Sequence, residues 1–205
     1  MSTEKYGDER CLIKAIARGD RESFAIVYRR YTPKLGAFLW RLTRRQDLAE
    51  EALNDTMMVL WQKAHVFDGR ASLRAWLFGI ANKQALKAIA RDRPHKGSAC
   101  HARPMHQPLE ETDLAGPDTG AVDAHRRDMR RTVAAALSAL TPEHRSVIEL
   151  VFFEGMSCAE AAEALDCPTN TVKTRMFHAR KRLRDNATAL GLGLVGGEDE
   201  HNEAE

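Results

Sequence analysis

Apolar positions recur at helical spacing along most of the chain. Phe24, Val27, Tyr28 and Tyr31 fall at i, i+3, i+4 and i+7, the mark of one buried helix face. Leu35, Phe38, Leu39 and Leu42 repeat the pattern in a second segment. Ala49, Leu53, Met57, Leu60 and Ala64 form a third, and Leu73, Trp76, Leu77 and Ile80 a fourth, with Ser72 placed as its N-cap. A short helix over about residues 9–18 precedes them and stops at Gly19, where a left-handed cap costs glycine little. No segment shows the alternation of a strand. The pattern predicts an all-α chain whose first domain, residues 1–92, is a helical bundle.

Residues 93–125 change character. Pro94, Gly97, Pro104, Pro108, Gly116, Pro117 and Gly120 break any helix there, and large apolar residues are few. This reads as a flexible linker that lets two domains sit far apart. A second helical domain follows over residues 126–190. Val133, Leu137 and Leu140 share a face. Thr141-Pro142 is an N-cap with proline at the first helical position, and Val147, Ile148 and Val151 face inward from that helix. Ser157 and Glu160 have the spacing of a capping box, ahead of a helix with Ala161, Ala162 and Leu165. After the Asp166-Cys167-Pro168 turn, a last helix points Val172, Met176, Ala179 and Leu183 inward. Residues 191–205 are glycine-rich, then acidic, and read as a disordered tail. No internal repeat is visible.

Composition narrows the class. The chain is 43% hydrophobic and 29% charged over 205 residues, which suits two small globular domains. Net charge is only +2, so nucleic-acid binding must be judged from where the charges sit. No apolar run approaches the roughly 18 residues that span a bilayer. Met1 to Arg10 is polar, unlike a signal peptide, so a cytoplasmic protein without membrane insertion is expected. Cys11, Cys100, Cys158 and Cys167 form no CxxC and read as free thiols, the last two as small packing residues.

The sharpest feature lies between Ser157 and Arg184: a capped short helix, a tight turn, and a longer cationic helix. That is the layout of a helix-turn-helix. Lys173, Arg175, Arg180, Lys181, Arg182 and Arg184 precede the first acid, Asp185. A helix fits the major groove, its N-terminal half reaches base edges, and flanking cations neutralise phosphates. Thr171, Lys173, Thr174, Phe177 and His178 project opposite the apolar face. The plain alternative is a basic surface helix.

Two further faces carry charge. Asp47, Glu50, Glu51, Asn54 and Asp55 line one side of the third segment, either as a solvated face or as a docking face for a basic partner. Lys83, Lys87 and Arg91 are spaced by four on the fourth segment, with Arg70 and Arg74 just before it. Cations beside aromatics suit single-stranded nucleic acid. Trp76 shares the face of Leu73 and Ile80 and is assigned to the core. His95, Cys100, His101 and His106 are zinc-competent, but their spacing matches no standard site, so a linker metal site is a minority reading and no cofactor is expected. No catalytic motif places a base beside a nucleophile, so the chain is not read as an enzyme.

The run from Asp47 to Arg91, "DLAEEALNDTMMVLWQKAHVFDGRASLRAWLFGIANKQALKAIAR", resembles region two of extracytoplasmic-function sigma factors of the sigma-70 family. The run from Leu140 to Arg184, "LTPEHRSVIELVFFEGMSCAEAAEALDCPTNTVKTRMFHARKRLR", resembles their region four. The resemblance spans roughly residues 8–188 in the expected order. It implies a transcription initiation factor that directs core RNA polymerase to promoters. Asp47, Glu50, Glu51, Asn54 and Asp55 would dock on the clamp helices of the largest subunit, with a second contact on the flap of the second-largest. The loop from Phe67 to Ser72, with Arg74, Asn82, Lys83 and Lys87, would open the minus-ten element and hold a flipped base. Many relatives read "IARN" where this chain has Ile80-Ala81-Asn82-Lys83, so its asparagine is displaced by one position, about 100° around a helix. Thr171, Lys173, Thr174, Phe177 and His178 would read the minus-thirty-five element, with Arg175 and Arg180 on phosphates. His178 stands where relatives often carry arginine, and a mostly neutral side chain weakens a phosphate or guanine contact. The family also implies an anti-sigma factor. Two other readings stand beside this one: a helix-turn-helix regulator that binds operators without polymerase, and a sigma mimic that titrates an anti-sigma factor.

Overall fold

The computed structural model describes residues 9–92 and 140–189, with side chains through residue 186. The region assigned to a linker, with His95, Cys100, His101 and His106, lies outside the described residues, as do Val133, Leu137 and the tail. The described residues form helices and turns, with no strand among them.

The first module contains α1 (Glu9–Ile16), α2 (Arg21–Thr43), α3 (Gln46–Lys63), a 3-10 turn (Ala64–Val66) and α4 (Leu73–Asp92). Gly19 adopts φ +86° after α1, as a glycine stop predicts. Asp20 then caps α2, accepting from the Glu22 and Ser23 amides at 3.3 and 3.2 Å. The first two predicted segments are one helix, because α2 continues through Pro33. An interior proline costs about 3 kcal/mol. Here the apolar stripe stays in phase across it, and Val27, Tyr31, Leu35, Phe38, Leu39 and Leu42 are all buried. Tyr28 was expected inward but is exposed. Phe24 instead meets Trp61 edge-on at 5.3 Å, which leaves Tyr28 at the rim. Ser72 caps α4 by accepting from the Ala75 amide at 3.1 Å.

The second module contains α5 (Pro142–Ile148), a π-helical turn (Glu149–Phe153), α6 (Cys158–Leu165) and α7 (Thr169–Ala189). The wider π turn adds Leu150 to the buried face, while Val151, expected inward, is partly buried against the core. The Ser157–Glu160 capping box is complete, and Val172, Met176 and Ala179 are buried as predicted. Cys158 and Cys167 are partly buried against the core, and Cys11, Cys158 and Cys167 form no disulfide.

The two modules share one continuous apolar core. The sequence suggested two domains able to sit apart, yet the structure packs α6 of the second module against α4 of the first. Gly79 permits this. A Cβ placed there would stand 2.5 Å from the Ala164 carbonyl oxygen, so a side chain is excluded at the crossing.

Candidate nucleic-acid and polymerase interfaces

The predicted acidic face is present on α3. Asp47, Glu50, Asn54 and Asp55 are exposed, and Glu51 is half-buried. Its members differ in their surroundings. Arg91 of α4 donates to both Glu51 carboxylate oxygens, at 2.6 and 2.5 Å. The Gln46 amide donates to Glu50 at 2.8 Å. The hydrogen bond from Arg45 holds the Asp47 carboxyl below its usual range, while Asp47 and Asp92 together raise the guanidinium of Arg45. The face is acidic, ordered by neighbouring cations, and open to a partner along Asn54 and Asp55.

The predicted strand-binding loop lies between the 3-10 turn and α4. The Phe67 ring packs at a tilt of 48° against Trp76, with centroids 5.1 Å apart; both are partly buried, and Trp76 lies against the core as expected. Arg70 is exposed and pairs with Asp68 at 3.1 Å. Ser72 is occupied as the cap of α4. An open cleft of about 400 Å³ runs along this loop from Phe67 to Leu73. Its other wall is Glu9 and Arg10 of α1, which sequence reasoning missed. Arg10 donates to the Gly69 carbonyl at 3.0 Å, and Gly69 sits at φ +75°. Nothing in the sequence links positions 10 and 69; only the packing of α1 on the bundle brings them together.

On α4 the predicted residues part company. Lys87 is exposed. Asn82 is only 5% exposed and accepts from the Ser146 hydroxyl of α5 at 2.6 Å. Lys83 is 65% exposed and lies 3.3 Å from Asp166. Arg74 lies 3.8 Å from Glu154. All three therefore face the second module. The same seam holds Arg41 of α2, which pairs with Glu154 at 3.0 Å and with Glu149. Glu149 is fully buried, and burial pushes its carboxyl above the usual range against the opposing pull of Arg41. Arg145 donates to the Leu42 carbonyl at 2.7 Å across the seam.

The cationic face of α7 has the predicted form. Val172, Met176 and Ala179 point into the module. Lys173, Thr174, Phe177, His178 and Arg180 are exposed, and Thr171 and Arg175 are half-buried. Phe177 is 64% exposed, an unusual place for a phenyl ring unless a partner covers it. His178 packs near Phe177 and His144, at ring distances of 5.5 and 6.3 Å. Burial, with the charge of Arg182, lowers the basicity of His144. Arg180 lies over the Phe152 ring at 5.1 Å. Among the described residues no helix is long and apolar enough to cross a membrane, and no His/Cys/Asp/Glu group is arranged to hold a metal ion.

Known proteins match this arrangement at both ends. Residues 27–94 match the sigma-70 region 2 family, and residues 130–183 match sigma-70 region 4. The chain is 32% identical to the ECF RNA polymerase sigma factor RpoE of Cereibacter sphaeroides, covering 82% of this chain and 87% of the relative. It is 31% identical to the ECF RNA polymerase sigma factor SigK of Mycobacterium ulcerans, covering 87% and 92%. Its fold is similar to CnrH in complex with the cytosolic domain of CnrY, with TM-score 0.63, 24% identity and coverage of 88% and 97%. It is also similar to the sigma factor RpoE in complex with the anti-sigma factor NepR from Bartonella quintana, with TM-score 0.62, 24% identity and coverage of 82% and 98%. A region 2 module and a region 4 module in one chain, in order and with matching relatives along most of its length, leave no room for a lone operator-binding regulator: the chain belongs to the extracytoplasmic-function sigma factors of the sigma-70 family.

Proposed function

We propose a division of labour within this RNA polymerase sigma factor. The α3 face at Asp47, Glu50, Glu51, Asn54 and Asp55 docks on the clamp helices of the polymerase largest subunit. The loop Phe67–Ser72 and the α4 residues Arg74, Asn82, Lys83 and Lys87 take the melted minus-ten strand. The α7 residues Thr171, Lys173, Thr174, Phe177 and His178 meet base edges of the minus-thirty-five duplex, while Arg175 and Arg180 neutralise phosphates. One observation carries this assignment. The α7 helix buries Val172, Met176 and Ala179 and turns Lys173, Thr174, Phe177 and His178 outward, which is the geometry of a recognition helix.

The chain acts in the cytoplasm as a non-catalytic initiation factor, and the flap of the second-largest subunit supports its second module. An anti-sigma factor is a further partner: NepR binds the relative from Bartonella quintana, whose fold this chain shares. The division of labour is tested by transcription in vitro with purified core polymerase and a randomised promoter pool. Arg175→Ala and Lys173→Ala should lower promoter use while leaving core binding intact. Asp55→Arg should weaken core binding and leave duplex recognition intact. Equal effects of the two kinds of change on core binding would remove the assignment.

A further inference from the structure

Three side chains assigned above to the melted strand are engaged by the second module. Arg74 faces the Glu154 carboxylate at 3.8 Å, Lys83 faces the Asp166 carboxylate at 3.3 Å, and Asn82 accepts from the Ser146 hydroxyl at 2.6 Å. Two cations meet anionic oxygens, as they would meet phosphates, and between them an amide meets a single polar group, as it would meet a base edge. Glu154, Ser146 and Asp166 come from three different places: the end of the π turn, the middle of α5, and the end of α6. Their convergence on one short stretch of α4 follows from how the modules dock.

The docking is built for close approach. Gly79 precedes Asn82 and Lys83 by three and four residues and so shares their helix face. The Ala164 backbone sits against it, where no Cβ would fit. Arg41, Glu149 and Arg145 brace the same seam. The polar pairing is nonetheless incomplete: the buried Arg74 Nε has no hydrogen-bond partner among the described residues. Lys83 and Asp166 are both largely exposed, where an ion pair contributes little. The polar contacts over α4 are thus the weakest part of a seam whose centre is apolar.

We propose that the second module is an internal mimic of the melted strand, masking the minus-ten face of α4 until the modules separate. Glu154 and Asp166 stand for phosphates and Ser146 for a base edge. A nucleic-acid strand and the second module then compete for the same side chains, and the affinity of the full chain for single-stranded DNA is lowered by the fraction held closed. The proposal rests on the assignment of the α4 face to the strand.

Gly79→Ala tests it without changing charge. Alanine favours the helix, so α4 itself is not weakened, but the added methyl has no room in the closed seam. Binding of a labelled single-stranded oligonucleotide pool to the full chain is followed by fluorescence anisotropy, and the radius of gyration by small-angle X-ray scattering. For a chain closed about nine times in ten, Gly79→Ala should expand the protein and tighten oligonucleotide binding roughly tenfold. Asp166→Asn is a second route, since asparagine tolerates the left-handed backbone found there at φ +53°. It should tighten binding more than Glu163→Gln, which makes the same charge change at an exposed position of α6. Expansion without tighter binding by Gly79→Ala overturns the mask. So does an absence of tightening in both Gly79→Ala and Asp166→Asn. Adding Lys83→Ala to the Gly79→Ala chain separates the two ideas. Lost binding there upholds the strand-face assignment whatever becomes of the mask, and unchanged binding removes that assignment.

Discussion

The two cationic helices, α4 and α7, are both net positive in the sequence and meet opposite circumstances in the structure. The α7 helix buries one stripe, at Val172, Met176 and Ala179, and turns Lys173 to solvent with Arg175 half-buried beside it. The α4 helix is buried on two sides. Leu73, Leu77 and Phe78 enter the core of the first module, while Gly79, Asn82 and Lys83 meet the second. A cation's place in a periodic pattern thus says which side of a helix it occupies, and not whether another part of the chain has reached it first.

The strongest way to break the contrast is through the cores beneath the two helices. Phe78 is fully buried and meets Phe38 edge-on at 5.2 Å. Phe78→Ala should cost about 3–5 kcal/mol and lower the thermal midpoint of the whole chain. Met176→Ala, at the rim of the second core, should cost nearer 2 kcal/mol. Equal losses in thermal denaturation would mean that α4 is no more deeply committed than α7.

Smaller effects sharpen the comparison on the DNA side. Lys173→Ala should weaken duplex binding by about 1–3 kcal/mol and relax base preference at one position of the minus-thirty-five element. Arg175→Ala should weaken binding evenly across sequences and lower the slope of log affinity against log salt by about 1. Binding isotherms on a duplex library at several salt concentrations separate the two. A base-specific loss from Arg175→Ala would reverse their roles.

The smallest expected effect concerns the cap that starts the helix-turn-helix. The Ser157 backbone amide and hydroxyl hold the Glu160 carboxyl below its ordinary value of 4.5. The cap therefore stabilises α6 fully at pH well above 4.5, and this contribution fades as pH falls through the depressed value. Because Glu160 is only partly buried, solvent screens the effect to about a few tenths of a kcal/mol. Hydrogen exchange at the start of α6 should rise on acidification beyond the intrinsic trend, and Glu160→Gln should abolish that extra dependence.

Much of the fold was legible before the structure. Helix starts were marked by local chemistry, at Ser72, Thr141 and Ser157, and each acts as a cap in the structure. The acidic side of α3 and the outward face of α7 follow from period alone. The errors have local causes too. The Phe24–Tyr31 and Leu35–Leu42 patterns read as two segments, and the structure joins them in one helix through Pro33, across which the apolar stripe stays in phase. Leu150 is missing from the inward set because a π turn leaves no mark in a pattern of 3.6, and it is buried beside the partly buried Val151. Asn82, which the resemblance puts at the minus-ten element, is buried against Ser146, a contact that no periodic pattern marks.

Helical period, capping residues and the placing of charge were decided by the amino-acid order, because each depends on neighbours within about two turns of a helix. The meeting of Arg10 with Gly69, of Arg41 with Glu149, and of Asn82 with Ser146 was decided by tertiary packing alone. Those partners lie 59, 108 and 64 residues apart. No periodic signal connects such positions, and their contact depends on the shapes of whole helices and on the one crossing where Gly79 leaves room.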